Sequence, residues 1–210
     1  MKYFFAFFLI LVLLKPSVAQ RFLDYGIIAG GSSYMGDINT ARPFYKPSLS
    51  FGGLMRYNIN RRYSIRASGY YFGLKGDLSD FPDHSLLNVL PNRSFSRNFF
   101  DLTGQVEFNF LPYMTGLDEG MWSPYLAGGL GYATNVGLVI PFGAGFKINL
   151  TTRLSAGAEW SCRRTFTDNI DGVESFLGNT LLNNNDWYSV YGLFITYKFF
   201  KFAADCPAYK

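Results

Sequence analysis

The sequence is poor in the residues from which most sites of chemistry are built. Its 210 residues include one histidine, His84, and two cysteines, Cys162 and Cys206. A metal centre needs a cluster of such ligands, so none is expected. No Gly-rich loop joins a strand to a helix as a phosphate cradle would, because the glycine pairs lie inside strand-like runs; no cofactor is expected. Charge is scarce as well, at 16% against about a quarter in ordinary domains. The net charge is only +4 and no Lys/Arg run would track a phosphate backbone, so nucleic acid is not an expected partner. Beyond the first residues there is no charge-free apolar stretch of about eighteen, so a membrane can be crossed only by strands.

Aromatic residues and glycine are abundant: 22 Phe, 15 Tyr and 22 Gly. The stretch 152–168 shows how they are arranged. Leu154, Ala156, Ala158, Trp160 and Cys162 fall on one side of an extended chain, and Ser155, Gly157, Glu159, Ser161 and Arg163 on the other. Similar alternation predicts strands over 47–57, 63–75, 99–110, 136–150 and 187–199; a run rich in Gly, Ile and Tyr but poor in alternation predicts one over 22–35, and a Gly-rich run another over 125–133. Near the end of the third run, at Tyr70 and Tyr71, both faces turn aromatic, as an interfacial girdle would. Pro141 demands a bulge or a missing ladder bond.

Before these strands comes an address. Lys2, an apolar run over 4–14 and Ser17-Val18-Ala19 have the layout of a signal peptide over 1–19, with export of the remainder. The expected organisation is therefore a signal peptide (1–19), a β-barrel (20–199) and a tail (200–210). With both termini in the periplasm, three of the four outer connections are long and two of the three inner ones are tight turns, the outer-membrane pattern. The inner connection 111–123 is long for its place.

A soluble sandwich is the competing fold, and alternation alone does not separate the two. The apolar face does. Phe, Trp, Tyr, Leu and Ile line it in most strands, which suits lipid better than a second sheet. The expected fold is all-β, an eight-stranded antiparallel transmembrane barrel in contact with outer-membrane lipids. Arg56, Arg66, Asp101, Glu107, Lys147, Glu159 and Arg163 then face a narrow lumen, where they must pair as an ionic plug. A proton or ion path through Glu107, Glu159 and Arg163 is the less favoured reading of the same residues.

His84 sits between Asp83 and Ser85, but neighbours along a chain point apart and do not make a nucleophile and its base. Cys162 lies near the outer end of its strand, roughly 20 Å from the inner end by strand rise and tilt. Cys206 belongs to the inner side, so a bond between the two cysteines is not expected. Cys206 is left either to pair with another chain or to remain an inconsequential tail thiol.

Several blocks, in order, resemble the PorG-type outer-membrane barrels of the type IX secretion and gliding-motility machinery. They include Tyr34-Met35-Gly36-Asp37-Ile38, Arg163-Arg164-Thr165-Phe166-Thr167-Asp168, Asn184-Asn185-Asp186-Trp187-Tyr188 and the terminal Cys206-Pro207-Ala208-Tyr209. The resemblance implies a non-catalytic role, anchoring a periplasmic ring of PorK- and PorN-like proteins to the outer membrane. On that reading 111–123 and 200–210 form the docking face, with Trp122, Cys206 and Tyr209 as anchors. Two other classes stay in view: a small transport barrel for hydrophobic or ionic solutes, and a lipid-modifying enzyme built around His84.

Overall fold

Strands that are apolar on one side and polar on the other must cover both faces, and this chain does so by closing on itself. The computed structural model describes residues 23–35, 44–80, 94–116, 120–166 and 187–199. They form β1 (Leu23–Met35), β2 (Ser48–Asn58), β3 (Tyr63–Asp77), β4 (Ser94–Asn109), β5 (Trp122–Ala133), β6 (Gly137–Asn149), β7 (Leu154–Thr165) and β8 (Trp187–Lys198). Each strand pairs antiparallel with the next, and β8 pairs with β1 to close an eight-stranded barrel.

The register fixes the barrel's shape. Paired residues run from Leu23 through Tyr57, Ile65, Val106, Gly128, Phe142, Cys162 and Ser189, and return to β1 at Ser33. That return is ten residues beyond the start. At about 3.3 Å per residue and about 4.8 Å between strands, this stagger tilts the strands by roughly 40°. A barrel so narrow has its interior filled by side chains.

The outer wall is apolar. Ile27 is 71% exposed, Leu49 85% and Leu193 70%, a pattern that only lipid or a partner could cover favourably. Rings gather at the end where β1 begins and β8 ends, here the terminus end: Tyr25, Tyr197 and Phe199; Tyr63, Phe108 and Phe110; Trp122 and Phe146. Tight turns close that end. Asn60 Oδ1 accepts from the amides of Arg62 and Tyr63, each at 2.8 Å, and Thr151 Oγ1 from those of Arg153 and Leu154, at 3.3 and 3.0 Å.

Some expectations are corrected. β4 begins at Ser94, five residues before the predicted 99, because it continues to pair with β3 beyond the wall, Asp77 opposite Ser94. Of the two rings near the end of β3, Tyr71 faces out as a girdle residue, while Tyr70, on the face of Arg66 as alternation has it, is buried in the lumen. Val136, predicted as the first residue of the sixth strand, is instead buried in the turn before β6. At Pro141 the β5–β6 pairing lapses over 129–130 opposite 140–141 and resumes at Gly131 with unchanged register. The missing amide therefore costs a ladder bond and produces no bulge.

Candidate functional site

Toward the terminus end, the lumen is filled by charge. Glu107 on β4 accepts from Arg56 Nε at 2.8 Å and Lys147 Nζ at 2.7 Å, and Arg66 Nη1 lies 3.2 Å from its other oxygen. Arg66 on β3 reaches across the axis to Glu159 on β7, with Nη2 2.9 Å from Oε1 and Nη1 bonded to Oε2. Tyr125 donates its hydroxyl to the same Glu159 at 2.5 Å, and Gln105 Oε1 accepts from Arg66 Nε at 3.2 Å. A buried charge is tolerated only when paired and hydrogen-bonded, and each of these carboxylates has at least two donors. Room comes from glycine. A Cβ on Gly145 would sit 2.5 Å from Tyr125 Cζ.

Toward the other, loop end, rings take over. Arg163 Nε and the Tyr188 hydroxyl both donate to Asp101 Oδ2, at 2.8 and 3.1 Å, and the guanidinium lies 4.8 Å from the Tyr70 ring. Beyond them Phe72 stacks on Tyr188 at 5.0 Å and on Phe99 at 5.9 Å, packed with Tyr34, Leu74, Val139 and Val190. Of the seven predicted lumen residues, then, Arg56, Arg66, Glu107, Lys147 and Glu159 form one network, and Asp101 with Arg163 a separate pair. Alternation puts Gln105 and Lys198 on the inward faces of their strands without giving them a role, and Asp24 and Tyr125, which share the inward parity, were not singled out.

The long connection between β4 and β5 turns back into the barrel mouth. Tyr113, Met114 and Thr115 are buried. Tyr113 N donates to Arg61 O at 2.7 Å, Asn149 Nδ2 to Met114 O at 3.1 Å, Thr115 Oγ1 to Asp24 Oδ2 at 2.9 Å and Lys198 Nζ to Thr115 O at 2.8 Å. Gly116 ends the insertion at φ 87°, where a Cβ would meet Thr152 O at 2.3 Å. This stopper is thus latched to the first residues of β1 and the last of β8.

Trp122 stands on the outer wall at this end, 47% exposed and stacked on Phe146 at 5.5 Å. Met121 and Leu150 beside it are exposed on the rim, joined through Asn149 N to Met121 O at 2.7 Å. Cys162 is half-buried on the outward side of β7. His84, Cys206, Tyr209, the 1–19 segment and the 200–210 tail lie outside the described residues.

At the loop end Lys46 Nζ bonds Asp80 Oδ2 at 2.7 Å and Asp77 Oδ2 at 3.0 Å, and the Tyr45 hydroxyl bonds Asp80 at 2.5 Å. The hydrogen bond from Lys46 holds the Asp80 carboxyl below its ordinary range, and Asp80 holds the ammonium above its own. This latch joins the β1–β2 connection to the short 3-10 turn Leu78–Asp80.

The family described as "Domain of unknown function (DUF6089)" matches residues 2–136 and 132–208. No curated protein matches the chain. Among solved structures, Neisserial surface protein A (NspA) is 12% identical with a TM-score of 0.50, over 84% of this chain and 97% of that one. The N-terminal β-barrel domain of Pseudomonas aeruginosa OprF is 15% identical with a TM-score of 0.44, over 84% and 98%. Ail of Yersinia pestis is 13% identical with a TM-score of 0.47, over 83% and 96%. At 12% identity the likeness to NspA is one of fold, a closed eight-stranded antiparallel barrel of the outer-membrane type.

Proposed function

The chain belongs to the DUF6089 family, and we propose that it is a non-catalytic outer-membrane scaffold of the type IX secretion and gliding-motility machinery. In this reading its terminus end faces the periplasm and anchors a ring of PorK- and PorN-like proteins. The observation that carries the proposal is a lumen filled by ions and rings and stoppered by residues 113–116. A post so filled is suited to holding something at its rim rather than to passing solute. The ordered blocks shared with PorG-type barrels supply the choice of machine.

The docking face comprises the exposed Met121 of the β4–β5 connection, Trp122 at the start of β5, and the tail with Cys206 and Tyr209. Stacking on Phe146 suits Trp122 equally to an interfacial girdle, so its part in docking is to be separated from its part in the wall.

The test is copurification from native outer membranes in mild detergent, without and with reductant. Ring proteins are expected with the wild type. Tail truncation after residue 199 should release them, and release by reductant would assign Cys206 to a mixed disulfide. A barrel that comes alone in both conditions would contradict the proposal. The enzyme alternative is checked by His84→Ala in lipid-modification assays.

A further inference from the structure

We propose that the lumen holds one small inorganic monoanion, of the chloride class, between Arg56 and the stopper. Among the described residues the buried cations are Arg56, Arg66, Lys147, Arg163 and Lys198, and the buried anions Asp24, Asp101, Glu107 and Glu159. Five against four leaves one positive charge uncompensated, and an uncompensated buried charge costs several kcal/mol. A single excess calls for a single negative charge, which selects a monoanion over sulfate or phosphate.

The register locates the excess. Arg56 has Asp24 directly across one ladder and Arg66 directly across the other, so two guanidinium groups stand side by side. Arg66 spends its donors on Glu159, Gln105 and Glu107. Arg56 spends only Nε, on Glu107. Its Nη1 and Nη2 are fully buried and have no hydrogen-bond partner among the described residues. A guanidinium is a rigid planar fork, so both nitrogens point together into the space beside it. The Phe194 ring, 5.4 Å from Arg56 Cζ, walls that space with apolar surface. Tyr113, heading the stopper, is buried at the same end of the lumen. Two donors of one rigid fork, one apolar wall and one spare positive charge make an anion site.

The test uses the full chain, crystallised from detergent with sodium bromide replacing sodium chloride. An anomalous peak within hydrogen-bonding distance of Arg56 Nη1 and Nη2 is expected. Water bridging Arg56 to Asp24 Oδ1, with no anomalous signal there, would overturn the assignment. In solution, exchanging gluconate for chloride at constant ionic strength should raise Tm by about 4 °C, as a ligand bound only by the folded state does. Arg56→Lys, which keeps the charge and removes the fork, should abolish that rise. A Tm indifferent to chloride in the wild type would overturn the proposal even if the variant fails to fold.

Discussion

The half of the lumen nearer the termini is filled by ions and the half nearer the loops by rings, although the same eight strands line both. The ionic half ties together strands that are not neighbours: Glu107 joins β4 to β2 and β6, and Glu159 joins β7 to β3 and β5. The ring half seals by stacking, with Phe72 lodged between Tyr188 and Phe99. One half depends on complete pairing and the other on shape. Removing a member of a buried pair strands its partners, whereas a ring can be exchanged for another apolar group at small cost.

That contrast can be broken most sharply at Glu107. Glu107→Gln leaves Arg56, Arg66 and Lys147 around a neutral amide and should lower unfolding stability in detergent by about 3–5 kcal/mol. A loss as small as that of an apolar exchange would show that the ions are solvated. Gly145→Ala drives a methyl into the Tyr125 ring and loosens its bond to Glu159, for about 2 kcal/mol in the same assay. Thr115→Val removes the stopper's donor to Asp24 and should cost about 1–2 kcal/mol, with faster proteolysis in the β4–β5 connection. In the ring half, Phe72→Leu should cost only about 1 kcal/mol.

The smallest effect belongs to the Lys46–Asp80 latch, which lies outside both halves. A carboxyl whose folded value is depressed contributes above its unfolded value, near 4, and loses that contribution as pH falls through the folded value. Amide exchange at 45–47 and 78–80, corrected for its intrinsic rate, should therefore rise below about pH 4. Lys46→Met should remove that dependence, and the lumen should not follow it.

How much of this was legible follows from what a side-chain period of two can say. It assigned the polar side of β7, Ser155 to Arg163, and the seven charged lumen residues to the interior, because parity alone decides the face. It could not say that Arg66 meets Glu159 four strands away, because that depends on the ten-residue stagger accumulated round the barrel. Parity put Tyr70 on the face of Arg66, but its packing against the Arg163 guanidinium left no trace, since rings suit a girdle and a core equally. The stopper left a weaker trace. Its connection was too long for a terminus-end turn, but nothing in Tyr113-Met114-Thr115 announces that it folds inward, because its partners Asp24 and Lys198 lie near the two ends of the chain.

The account rests on a lumen closed by two independent fillings. Conductance of the purified barrel in planar bilayers tests this most directly. The account predicts no resolvable channel for the wild type. Steady ion current through the unmodified protein would contradict it and bring the transport reading forward.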